Sequence, residues 1–352
     1  MEAVETRMAT LDFQPARGPS AWTGQGMRDS RQWIYELDDE DRADVASALS
    51  HVRTRGLTIP FGKEDFPLGR FAVRMARILA EVETGAGVVL MRGLAVDEYG
   101  LEGTRLVYWG LGVHMGTALA QTPFGDLLVD VRDTGGDQYR NPTQRGFHTA
   151  RRLPFHNDQG DVVGLLCYRR SKSGGLSCIA SAAAVHNEIL RTRPDLLEVL
   201  YQPFYCDARG EEPPGRPPYY VEPRFSMLDG RLFTQHGRTY VDSAQRFPDV
   251  PRLTAHQDEA MRYVDELCAS DTFRLDMDFR RGDIQFLNNR VVLHSRTDFE
   301  DYEEPELKRL LMRLWLRTPG YGAIPAYFHE RFQDMDHWLK HPLERKPKAQ
   351  AA

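Results

Sequence analysis

The sequence predicts a mainly β chain with flanking helices. Three observations carry that reading. Strand-like runs precede and follow helical ones without regular βαβ alternation, which argues against a doubly wound dinucleotide fold. No Gly-x-Gly-x-x-Gly follows a strand and no phosphate-binding loop occurs. The segment Leu310–Arg317 alternates strictly: Arg309, Leu311, Arg313, Trp315 and Arg317 share one side, and Leu310, Met312, Leu314 and Leu316 share the other. The apolar side is expected to pack under helices. The side carrying the arginines is expected to face a pocket, because a guanidinium fork matches a carboxylate bidentately.

The elements follow in order. Residues 1–27 are aperiodic and read as an N-terminal arm. Residues 38–51 and 66–83 have helical periodicity, and the β-branched run Gly87–Arg92 is a strand. Residues 101–114 are helical and 127–131 form a strand. The polar stretch 132–152 is long enough to be functional, and it leads to Phe155-His-Asn-Asp158, so it reads as an active-site rim. Strands at 161–169 and 176–180 are joined by Ser-Lys-Ser-Gly-Gly. A helix at 183–193 stops at Pro194, and the Pro-rich loop 207–218 is a candidate lid. Asp229-Gly230 joins 224–229 and 231–234 as a hairpin. A helix at 254–269 precedes strands at 273–278, 283–288, 291–296 and 310–317. One domain is expected over residues 28–340, and residues 341–352, rich in Lys, Pro and Ala, as a flexible tail.

Composition excludes more than it assigns. At 352 residues and 41% hydrophobic content the chain can bury a large core. A net charge of −6 gives no basic field for nucleic acid. No run of 18 apolar residues exists, and the first residues lack an apolar signal region, so a cytoplasmic protein without membrane contact is expected. Four cysteines, Cys167, Cys178, Cys206 and Cys268, form no Cys-x-x-Cys pair and read as reduced thiols.

The chemistry concentrates in His156-Asn-Asp158 and the distant Val-Val-Leu-His294-Ser-Arg. Two imidazoles and one carboxylate on one face of a metal form the ligand set of a non-haem Fe(II) oxygenase, with the opposite positions open. Alternate residues of one strand share a face, so His156 and Asp158 can reach one ion, and His294 must arrive from a strand adjacent in space. His-x-Asp by itself occurs by chance in many chains as a surface pair. His294 alone could be a hydrogen-bonded core histidine. A zinc site from His148 and His156 lacks further ligands at short spacing.

The ordered set Gly87-Val-Val-Leu-Met-Arg-Gly-Leu94, His156-Asn-Asp158, Ser173-Gly-Gly-Leu-Ser177, Gly282-Asp-Ile-Gln-Phe-Leu-Asn-Asn289, His294 and Arg309/Arg313 resembles the taurine dioxygenase-like (TauD/TfdA) branch of the Fe(II)/2-oxoglutarate-dependent oxygenases, over roughly residues 85–320. The resemblance implies a double-stranded β-helix (jelly-roll, cupin-like) core, with Fe(II), 2-oxoglutarate and O₂. It implies His156, Asp158 and His294 as metal ligands. It places Arg309 on the distal carboxylate of 2-oxoglutarate, with the Ser177 hydroxyl assisting. Arg309 lies 15 residues after His294, slightly further than in the family, because residues 300–306 are inserted. Arg313 is expected to touch 2-oxoglutarate or an acidic substrate, His148 to approach substrate from the rim, and His186 to be structural.

The implied reaction oxidises a C–H bond, by hydroxylation, desaturation, cyclisation or cleavage, with release of succinate and CO₂. Arg313 and the arginine-rich segment 140–152 point to a small anionic or zwitterionic substrate, such as an amino acid or a natural-product intermediate. The enzyme alternative is a cupin-like metal enzyme that does not use 2-oxoglutarate. The non-enzyme alternative is a ligand-binding β-barrel. The resemblance also implies self-association into a homo-oligomer.

Overall fold

The computed structural model describes residues 13–136 and 146–345. Part of the 132–152 rim, Arg140 included, and most of the 341–352 tail lie outside the described residues.

Two sheets face one another. The larger runs in the order 34–36, 88–92, 284–288, 162–169, 310–317 and 117–118, with 128–131 also pairing 310–317. The smaller runs 274–277, 177–181, 292–296 and 153–156. This is the expected jelly-roll core of double-stranded β-helix type with flanking helices.

Side-chain alternation assigns each face its partner. Leu310, Met312, Leu314 and Leu316 point outward with Val162, Leu166, Ile284 and Phe286, under the helices Asp39–Thr54, Phe71–Thr84 and Val96–Met115. Helix and strand approach closely: a Cβ on Gly112 would stand 2.4 Å from Leu314. The outer face of the smaller sheet packs on the helices Ala182–Thr192, Pro194–Leu200 and Ala255–Ala269. Between the sheets Leu90, Leu287, Cys167, Leu311, Ile179, Leu275 and Val292 form a smaller apolar layer. The inward-facing polar residues stand at the end of that layer.

Most elements fall where the sequence puts them, and the differences have physical reasons. Asp38 caps its helix in a reciprocal box with Asp41, and Thr254 does so with Gln257. The helix read from 101 is preceded by a turn across Gly100, which sits at φ 67° and kinks the segment. Pro194 ends one helix and also opens another, occupying its first position where no N–H is needed. At the hairpin Asp229 and Gly230 both have positive φ, as a two-residue turn of this kind requires. The aromatic stretch after Gly320 carries a helix, Ala326–Lys340, whose Phe328, Phe332, Met335 and Trp338 are buried. Residues 16, 22 and 27 of the arm are buried against the body, and a helix opens at Gly24. All four cysteines are free and buried. Among the described residues no helix is long and apolar enough to cross a membrane.

Candidate metal centre

The two histidines meet by strand pairing. His294 stands directly opposite His156 in the antiparallel pair of 292–296 with 153–156, and their ring centroids are 4.3 Å apart. The strand reading needs one correction: strand 153–156 ends at His156, so Asp158 does not share a regular strand with it. A polar clamp holds Asp158 instead. Its backbone N–H donates to Asn289 Oδ1 at 2.9 Å, and Asn289 Nδ2 returns to the carbonyl of Asp158 at 2.7 Å. Asn157 points the other way, donating to the carbonyls of Asn289 and Val292, and it exchanges bonds with the backbone of His236.

The result is a compact donor set. His156 Nε2 is 3.9 Å from Asp158 Oδ1, and His294 Nε2 is 3.7 Å from Asp158 Oδ2. One ligand atom from each of the three residues lies within 4.8 Å of the others. The His156 Nδ1 sits 2.8 Å from the carbonyl of Pro154, which fixes the ring so that Nε2 faces the centre. Burial pushes both imidazoles down, so both are neutral and able to ligate near pH 7. Burial alone would raise the Asp158 carboxyl, but Arg313, the two histidines and Trp315 outweigh it and hold it below the usual carboxylate range. Two neutral imidazoles and an ionised carboxylate fit a divalent first-row ion.

Strand 310–317 supplies the surroundings. Trp315 Nε1 donates to Asp158 Oδ2 at 2.8 Å, and Arg313 Nη1 lies 3.4 Å from the same oxygen. Arg313 is locked by Gln121, whose Oε1 accepts from its Nε at 2.8 Å while its Nε2 donates to the Arg313 carbonyl. Arg309, four residues back on the same face, is buried, and its Nη1 has no partner among the described residues. Burial lowers it to about 10, so it stays cationic near pH 7. The backbone at Gly175 lies against it: φ there is +72°, and a Cβ would sit 3.3 Å from Arg309 Nε. Ser177 is buried nearby in the smaller sheet, accepting from Gln285 Nε2 at 3.1 Å.

The predicted residues thus divide. His156, Asp158, His294 and Arg313 converge on one centre, and Arg309 and Ser177 lie deeper between the sheets. His148 stands on a short turn, bonded to Thr134, and does not line the cavity beside His156 and Asp158. His186 is a core residue, 2.9 Å from the Tyr201 hydroxyl.

That small cavity, about 60 Å³, is also lined by Arg209, Arg238 and Tyr240, none of which the sequence reading singled out. Arg209 lies 4.0 Å over the Tyr240 ring and donates to Thr239 Oγ1 at 3.0 Å. Beyond Tyr240 and Trp315 opens a larger chamber of about 460 Å³, walled in part by Glu211, Glu212 and Arg216 of the 207–218 loop. The Pro-rich loop read as a lid therefore forms one side of that chamber. A basic residue far in sequence from the metal motif, whether in a turn like Arg209 or at a helix start like Arg238, carries no local signal of its destination, which is why both escape a sequence reading.

Residues 53–315 match the taurine catabolism dioxygenase TauD, TfdA family. The chain is 32% identical to FR-33289 synthase of Streptomyces rubellomurinus over 328 residues, 91% of this chain and 95% of that one. It is 28% identical to the taurine hydroxylase-like protein SAT17 of Stachybotrys chartarum, across 93% of this chain and 85% of the relative. Among solved structures, asparagine oxygenase in complex with Fe(II), 2S,3S-3-hydroxyasparagine and succinate superposes with TM-score 0.62 at 17% identity, covering 81% of this chain and 93% of that one. The non-heme iron oxygenase OrfP in complex with Fe and alpha-ketoglutaric acid superposes with TM-score 0.58 at 15% identity, covering 80% and 93%.

Proposed function

The chain belongs to the taurine catabolism dioxygenase TauD, TfdA family, and on that premise we propose that His156, Asp158 and His294 hold one iron(II) and that Arg309 and Ser177 receive the distal carboxylate of 2-oxoglutarate. The enzyme is an Fe(II)/2-oxoglutarate-dependent dioxygenase that oxidises a C–H bond of a small molecule. The observation that carries the reading is the pairing of a compact His/Asp/His set with a deeply buried arginine whose Nη1 lacks a partner among the described residues. A buried guanidinium in that state costs stability unless an anion meets it, which disfavours a cupin-like enzyme without 2-oxoglutarate.

Bound iron(II), with 2-oxoglutarate and O₂, supplies the oxidising chemistry and leaves succinate and CO₂. The chain's own residues do the positioning. Pro154 fixes the His156 ring, and Trp315 holds one oxygen of Asp158. Gln121 sets Arg313 beside the centre, within reach of a carboxylate placed there.

The substrate reading is an anionic or zwitterionic small molecule, an amino acid or a natural-product intermediate. Arg209, Arg238 and Arg313 surround the small cavity, where an acidic group would be met by guanidiniums. The adjoining chamber, with its carboxylates and tyrosines, suits the remainder of a molecule carrying an amino group. Asparagine oxygenase and FR-33289 synthase among the similar proteins support that range of substrates. The net charge of −6 gives no support for a nucleic-acid partner. We also carry self-association and a cytoplasmic location as part of this reading.

The test is O₂ uptake and succinate release with Fe(II) and 2-oxoglutarate, with and without candidate amino acids and anionic metabolites. Succinate formation that depends on both, and rises with one substrate, is expected. No succinate under any condition, with metal bound, would leave a ligand-binding barrel.

A further inference from the structure

Two residues beyond His294 on the same strand stands Arg296, and strand alternation turns it to the same interior face as His294. It is paired across the sheet with Ser177, so the two side chains are neighbours on that face. Arg296 is 6% exposed and Arg309 5% exposed. Both guanidiniums pack on one ring, with their central carbons 4.7 and 5.0 Å from the Phe299 centroid. Among the described residues neither has a carboxylate within ion-pair distance, and each keeps one buried Nη1 without a hydrogen-bond partner. Two like charges buried together are unfavourable until an anion joins them.

The rest of Arg296 faces elsewhere. Its Nη2 donates to the carbonyls of Thr149, at 2.7 Å, and Arg151. The same loop is joined to the 295–299 segment by Phe299 N to the Ala150 carbonyl at 3.0 Å, Arg152 N to Asp298 Oδ1, and Ser295 Oγ to the Leu153 carbonyl at 2.7 Å. The segment leading into His156 is therefore fastened to the strand that carries His294, with Arg296 at the junction.

We propose that Arg296 is a second cosubstrate-binding residue: it shares the distal carboxylate of 2-oxoglutarate with Arg309 and, through its other amino group, ties that carboxylate to the 149–152 loop before the metal-binding segment. Cosubstrate binding then offsets the repulsion within the guanidinium pair and tightens the loop that positions His156. The inference rests on the reading of this pocket as the 2-oxoglutarate site.

The experiment compares 2-oxoglutarate with 2-oxopentanoate, which keeps the oxo-acid end and replaces the distal carboxylate by a methyl group. Anaerobic binding to the Fe(II)-loaded protein is followed by the visible metal-to-ligand band, and amide hydrogen exchange is read over residues 149–153. Arg296→Gln is expected to weaken 2-oxoglutarate roughly ten-fold or more, as for loss of one partner in a buried charge pair. Binding of 2-oxopentanoate should stay within about two-fold, since it never contacts the lost charge. The exchange protection that 2-oxoglutarate confers on 149–153 should disappear. Arg296→Lys keeps the charge but cannot serve carboxylate and loop together, so it should retain much of the affinity and lose the protection. Equal weakening of both oxo acids, or unchanged 2-oxoglutarate binding, overturns the proposal, because a purely structural arginine would not discriminate them. Arg309→Leu is the control. If it discriminates the two oxo acids and Arg296→Gln does not, only this inference fails. If neither discriminates, the pocket reading itself fails.

Discussion

Trp315 donates from Nε1 to Asp158 Oδ2 at 2.8 Å and so takes up one lone pair of a carboxylate whose other oxygen faces His156. The bond restricts how the carboxylate can turn toward a metal. Trp315 also lines the larger chamber, so one side chain serves both the carboxylate and that chamber's wall.

Trp315→Phe keeps most of the ring and removes the donor. Loss of such an outer-shell partner typically costs about ten- to hundred-fold in metal affinity. Anaerobic Fe(II) titration should show that weakening, with a thermal midpoint close to that of the parent. Parent-like affinity in the variant would make Trp315 a packing residue only.

Much of this arrangement is legible in the sequence because strand alternation is. Once Leu310–Arg317 is read as a two-faced strand, Arg309, Arg313 and Trp315 fall on one side and the apolar side goes under helices, as the structure has it. Alternation two residues past His294 would likewise have found Arg296. Alternation failed at Asp158, which leaves the strand and is held by Asn289 from across the fold. The helix Ala326–Lys340 was missed because its apolar residues are interrupted by charged ones and its start has no side-chain cap. Arg209 and Arg238 reach the cavity only through the path of the chain between residues 200 and 240, which no local pattern encodes.

His156→Ala and His294→Ala should each abolish the visible band formed with Fe(II) and 2-oxoglutarate while leaving the fold intact. Each ring spends its inward nitrogen on the centre and little on packing, and His294 Nδ1 has no partner among the described residues. Circular dichroism and the band are read on the same samples. A band of parent intensity in either variant removes that histidine from the ligand set.

Acid–base behaviour away from the centre gives a test of the fold. Glu222 is 3% exposed beside Arg224, and burial, opposed by that arginine, pushes its carboxyl up to about 7 from an ordinary 4.5. The folded state then binds this proton more tightly than the unfolded chain does. Its contribution is full below about pH 4.5 and is lost as pH rises through 7, each pKa unit of difference amounting to about 1.4 kcal/mol. Denaturant unfolding between pH 4.5 and 7.5 should show a less negative stability slope in Glu222→Gln than in the parent. Equal slopes would mean that Arg224 keeps Glu222 ionised throughout.

Arg309 and Arg313 share a strand face but not a task, and their variants should separate. Arg309 lies deep between the sheets with an unpartnered Nη1, so Arg309→Leu strips a distal carboxylate of its counter-charge. Leaving one partner of a buried charge pair alone typically costs about 2–5 kcal/mol. The KM for 2-oxoglutarate should therefore rise at least ten-fold, with Fe(II) affinity nearly unchanged. Arg313 stands 3.4 Å from Asp158 Oδ2 and is braced by Gln121, so Arg313→Leu acts first on the carboxylate that faces the metal. Its larger effects should be on Fe(II) affinity and on substrate KM, with a smaller rise in the KM for 2-oxoglutarate. Steady-state kinetics in 2-oxoglutarate, paired with Fe(II) titration of both variants, measures the split. If Arg313→Leu raises the 2-oxoglutarate KM more than Arg309→Leu does, the cosubstrate lies with its distal carboxylate toward Arg313, and the deep pocket around Arg309 and Ser177 must hold something else.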